Sequence, residues 1–112
     1  MVEVQVVEDS QGKVLELSCS GHAEFSDDEH GGDIVCAAVS ALTGMVGVTL
    51  AEVLHCPEAV GAEDGFFHYQ RPEGLPGEDQ RALDVLIEGL LRSLRGLEEN
   101  YSGWVRVAQI RN

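Results

Sequence analysis

Val2, Val4 and Val6 alternate with Glu3 and Gln5, a period of two that predicts a half-buried strand at the start of the chain. Asp9-Ser10-Gln11-Gly12 supplies turn chemistry. Residues 13–19 then alternate again with Leu15, Leu17 and Cys19 on one face, so the opening unit reads as a hairpin. Residues 26–32 are acidic and glycine-rich and read as a loop, and Asp33 stands where a helix N-cap belongs. Residues 34–54, IVCAAVSALTGMVGVTLAEVL, are apolar nearly all round, which predicts a central buried helix. That run is also long enough to cross a bilayer. Its acidic flanks, Glu52 within it and its many Ala, Gly, Ser and Thr residues weigh against a membrane span.

Cys56-Pro57 should end this helix, and residues 59–62 and 66–71 flank Asp64-Gly65 as a second hairpin. After Pro72 and Pro76, Glu78 and Asp79 open a segment with Leu83, Leu86, Ile87, Leu90, Leu91, Leu94 and Leu97 at three- and four-residue spacing, an amphipathic helix with one buried face. Trp104, Val105, Val107 and Ile110 close the chain as a last strand. The order β-β-α-β-β-α-β over residues 1–112 predicts one α+β domain, an antiparallel or mixed sheet packed with two helices.

Composition narrows the function classes. Twenty acids against seven bases give a formal charge of −13, which excludes non-specific nucleic-acid binding, since that needs Lys and Arg to displace counterions. A basic partner suits the charge, although acidity can also serve solubility alone. Three cysteines without a C-x-x-C pair suggest neither a disulfide framework nor a zinc ribbon, and fit a reducing compartment. The N-terminal stretch alternates and has no basic n-region, so it does not read as a signal peptide and a cytoplasmic protein is expected.

On the central helix Asp33, Cys36 and Ser40 stand at i, i+3 and i+7 and share a face. With the helix starting at Asp33, Cys36 lies about one turn in, where unpaired backbone N–H groups favour a thiolate. A carboxylate at Asp33 opposes that, so a cationic neighbour is needed. His22, after Gly21 at the end of the second strand, can return to the helix start through residues 23–32 and act as base toward the sulfur, then as acid toward a leaving amine. The backbone of Gly31-Gly32, with the Cys36 N–H, supplies candidate oxyanion donors. Each feature also has a plainer reading: Cys36 as a small core residue, Asp33 as a cap, and Ser40 bonded back to the helix. Cys19 and Cys56 read as structural, and Gly44 and Gly47 as close packing against another element or a second subunit.

Gly21-His22-Ala23, followed after a glycine-containing loop by Asp33-Ile34-Val35-Cys36-Ala37-Ala38-Val39-Ser40-Ala41-Leu42, resembles the signature of the bacterial ribosomal-processing cysteine protease family. The resemblance implies a catalytic dyad of Cys36 and His22, with Asp33 and Ser40 shaping the site. It implies no cofactor and no metal. The implied activity is removal of a short N-terminal extension from ribosomal protein L-twenty-seven of the large subunit, cut after an aromatic-rich apolar segment, by a homodimer. The partner is thus a basic protein precursor, with no direct role for nucleic acid or membrane. One departure is the stretch between His22 and Cys36, which is longer and more acidic than the family's pattern and could gate entry; His30 within it is a rival base. Two other readings compete. One is a non-catalytic module that docks a basic ribosomal protein, and the other a metal site of His22, His30, Asp33 and Cys36, whose spacing matches no recognised ligand set.

Overall fold

Alternation at the N-terminus produces the strand it predicts: β1, Val2–Glu8, buries Val2, Val4 and Val6 and turns Glu3 and Gln5 to solvent. The computed structural model describes residues 1–21 and 29–111, with the backbone alone for residues 29–33. β2, Val14–Ser20, pairs antiparallel with β1 through a turn built on Asp9. The Asp9 carboxylate accepts from the N–H groups of Gln11 and Lys13, both at 2.9 Å, and Gly12 takes the left-handed conformation (φ 84°) that the reversal needs. A register shift between Val7 and Glu8 moves the core face, so Val14 is buried and Leu15 only half-buried, where simple alternation places Leu15 inside.

The first helix, α1, spans Glu29–Glu52. It starts earlier than the sequence reading, so Asp33 is the fifth helical residue and not the N-cap, and Gly31 and Gly32 lie in its first turn and not in a loop. An acid at the start favours nucleation there, and two glycines weaken a helix by only about 1 kcal/mol each. The expectation of burial all round is also corrected. Val35, Val39, Val46 and Leu50 are buried, whereas Ile34, Met45 and Val48 are 52%, 45% and 56% exposed. This helix is long and apolar enough to cross a membrane, yet one face is packed into the protein core.

After a single 3-10 turn, Pro57–Ala59, come β3, Val60–Glu63, and β4, Phe66–Gln70, antiparallel partners as the second hairpin predicts. The second helix, α2, Gly77–Asn100, buries Leu83, Ile87, Leu90, Leu91 and Leu94, while Leu86 and Leu97 sit at the margin of that face. β5, Val105–Arg111, lies parallel to β1. The sheet order β3-β4-β2-β1-β5 is mixed, and both helices cover one face of it. The element order is the β-β-α-β-β-α-β expected.

This topology positions the site. β2 is antiparallel to β4, and β4 to β3, so β2 and β3 run parallel with α1 as their crossover. The ends of β2 and β3, the start of β4 and the first turns of α1 therefore meet at one end of the sheet.

Candidate active site

Cys36 is the eighth residue of α1 and half-buried. It opens into a cleft of about 360 Å³ that lies between α1 and the β3–β4 hairpin. Along the helix the wall is formed by Cys36, Ser40, Thr43, Gly44 and Gly47; opposite stand Val60, Ala62, Glu63 and Asp64 of the hairpin and Phe66 and Phe67 of β4. Cys36 and Ser40 thus share the cleft, as their spacing requires.

Cys36 stands two turns into the helix, deeper than the sequence reading placed it. The field of a helix terminus fades within its first turn, so little of the predicted dipole effect reaches the sulfur. Its backbone N–H falls on the intrahelical ladder, which removes it from the candidate oxyanion donors. Gly31 and Gly32 are third and fourth in the helix, among the four positions whose N–H groups lack an intrahelical acceptor, so they keep that capacity from a first turn. Helical phase keeps the Asp33, Cys36 and Ser40 positions along one face, but the Asp33 side chain lies outside the described residues.

His22 also lies outside the described residues. Its neighbour Gly21 does not, and its geometry is specific. Gly21 closes β2 at φ 90°, donates its N–H to the Gly65 carbonyl at 2.9 Å, and lines the same cleft as Cys36. A Cβ on Gly21 would fall 2.5 Å from the Met1 carbonyl oxygen, so no other residue fits without a shift of backbone. Gly21, the last described residue before His22, therefore stands in the lining of the cleft that holds Cys36.

The remaining cysteines behave as structural residues. Cys19 is 4% exposed with its thiol pushed up to about 12 by burial, and Cys56 is buried with its thiol raised by burial first and by Glu58 and Asp79 second. None of the three is in a disulfide. Among the described residues no cluster of three or more His, Cys, Asp or Glu could hold a metal; His22 and the side chains of His30 and Asp33, which the metal reading needs, lie outside that description.

The hairpin wall was not legible as part of a site. Asp64-Gly65 marks a turn in the sequence, and Gly65 does take φ 75° there, but only the pairing of β4 with β2 carries Val60, Ala62, Glu63 and Asp64 to the face of α1 that bears Cys36.

A family model described as cysteine protease Prp matches residues 1–106. The ribosomal processing cysteine protease Prp of Bacillus subtilis is 32% identical over 109 residues, covering 96% of each chain. That of Staphylococcus aureus is 31% identical over 110 residues, covering 96% of this chain and 97% of its own. Among solved structures, a protein of Streptococcus mutans superposes with a TM-score of 0.79 at 24% identity, covering 100% of this chain and 99% of its own. The S. aureus ribosomal processing protease Prp, solved with a covalently linked product peptide, gives a TM-score of 0.75 at 24% identity, covering 97% and 99%. With a cysteine open to a cleft, a family model matched over residues 1–106 and relatives 31–32% identical over 96% of its length, this chain belongs to the ribosomal processing cysteine protease family.

Proposed function

We propose that this cysteine protease removes the N-terminal extension of ribosomal protein L-twenty-seven, with Cys36 as nucleophile and His22 as general base. The observation that carries the reading is the exposure of Cys36, alone of the three cysteines in being only half-buried, to a cleft whose edge is Gly21. With little help from the helix terminus at that depth, an imidazole is the natural means of ionising the sulfur. His22 takes the Sγ proton, and the thiolate attacks the scissile carbonyl carbon to give a tetrahedral oxyanion. The Gly31 and Gly32 N–H groups are the donors for that oxyanion. As the intermediate collapses, the imidazolium returns its proton to the leaving amine, and water activated by His22 then hydrolyses the thioester.

The relatives named for ribosomal processing, and the S. aureus enzyme solved with substrate and product peptides, support a peptide substrate for this cleft as well. The charge of −13 suits a basic protein substrate, and three cysteines outside any disulfide suit action in the cytoplasm. The exposed Ile34, Met45 and Val48 on α1 support assembly as a homodimer through that face.

The test is cleavage of the host's own L-twenty-seven precursor read by intact mass, with Cys36→Ala and His22→Ala alongside. A single cut in the N-terminal segment, lost in both variants, is the expected result. If wild-type protein binds the precursor and leaves it whole, the domain is a docking module and Cys36 a packing residue. Retention of cutting in His22→Ala with loss in His30→Ala would move the base to His30.

A further inference from the structure

Gly44 stands in the interior of α1, where glycine weakens a helix relative to alanine. Nothing in the backbone requires it, since its φ is not in the left-handed region. Packing does not require it either: a Cβ built there meets no described atom within 4 Å, in contrast to Gly47, where it would touch Val60 Cγ1 at 3.8 Å. The close packing that the sequence suggests for Gly44 is therefore absent among the described residues. What lies over it is the cleft.

The cleft around that hollow mixes apolar and exposed polar residues. Thr43 beside it commits its hydroxyl to the Val39 carbonyl at 2.9 Å, Val39, Val60, Ala62 and Phe67 supply apolar lining, and the polar lining residues Ser40, Glu63 and Asp64 are exposed to water. A side chain entering here finds apolar contact and no buried polar group to satisfy. Gly44 is eight residues from Cys36, which is about 12 Å along the helix. An extended peptide covers that span in three to four residues.

We propose that Gly44 is a specificity-determining residue, the floor of a subsite that takes a large apolar side chain three or four residues from the scissile bond. The inference rests on the cleavage reading above and adds to it a place and a size limit. Because the hollow is empty of other described atoms, enlarging residue 44 fills the subsite without disturbing the core.

The experiment uses peptides spanning the cut, with Phe, Leu or Ala placed in turn at the third and fourth residues on either side of the bond. Each is assayed for kcat/KM with wild type, Gly44→Ala and Gly44→Leu, and the variants are also followed by thermal melting and sedimentation. At one of those positions the wild type should prefer Phe. Gly44→Leu should lower kcat/KM for the Phe peptide by about 30-fold, with smaller losses for Leu and Ala, and Gly44→Ala should fall between. Melting temperatures should be equal to or above wild type. Equal losses for all three peptides at every position overturn the inference, as does a change in sedimenting mass, which would place Gly44 in a contact between chains. Failure of the wild type to cut any peptide is a different result, and removes the protease reading itself.

Discussion

At the scale of single residues, three thiols share one chain and differ in what surrounds them. Cys19 and Cys56 are buried with their thiols raised, Cys19 to about 12, whereas Cys36 faces the cleft. Since the thiolate is the nucleophile, a small alkylator at neutral pH should react with one equivalent per folded chain, at Cys36. Peptide mapping after iodoacetamide checks this, and equal labelling of Cys19 would contradict it. Gly21 provides the second case. Its φ of 90° and the 2.5 Å approach of the Met1 carbonyl leave Gly21→Ala no unstrained conformation, and the variant should lose about 2 kcal/mol or more in urea unfolding. Its activity should fall further than its folded fraction, because Gly21 lines the cleft and is bonded directly to His22, the proposed base. A variant that unfolds like wild type would show that the turn can relax, and that the glycine is not what holds it.

At the scale of elements, what the sequence made legible is what local periodicity controls. Val2, Val4 and Val6 predict β1, and the leucine spacing from Leu83 to Leu94 predicts the buried face of α2, because each pattern faces one core. The start of α1 was misread for a physical reason: Gly31, Gly32 and the acids before them look like a loop, yet acids at a helix start are favourable and two glycines cost too little to prevent the turn. Cys36 was legible as a candidate nucleophile, but its depth in the helix followed the misplaced start. The hairpin wall depends on strand pairing distant in sequence, and no local signal carries that. The apolar run of α1 by itself predicts burial on nearly every side, whereas Ile34, Met45 and Val48 face outward. Their covering by the same face of a second chain would bury each residue twice across a two-fold axis. Val48→Glu would then bring two carboxylates together and weaken the dimer by at least about tenfold, with little change in the stability of the monomer. Sedimentation equilibrium reads the dimer affinity and urea unfolding the stability of the monomer, and a monomeric wild type at micromolar concentration would remove the homodimer.

At the scale of the whole molecule, charge and cleft act in the same direction. The chain carries −13, and two of its acids, Glu63 and Asp64, sit on the cleft wall within the hairpin that faces Cys36. A field of one sign over a concave surface raises the rate at which cations arrive, and salt suppresses that gain as the screening length falls from about 30 Å at 0.01 M to about 8 Å at 0.15 M. Steering acts on encounter and leaves the chemical step alone. For a peptide rich in Lys or Arg, kcat/KM should therefore fall by about tenfold across that range of salt while kcat stays constant. The same peptide with Gln in place of its cations should respond by less than about twofold, because screening then has nothing to act on. Replacing the two wall acids, as Glu63→Gln with Asp64→Asn, separates the local field from the global one. If the wall dominates, the double variant should lose most of the salt response while keeping its kcat on the neutral peptide. If the response survives intact, the remaining surface charge does the steering, and if the cationic and neutral peptides respond alike, the acidic surface serves solubility and not substrate capture.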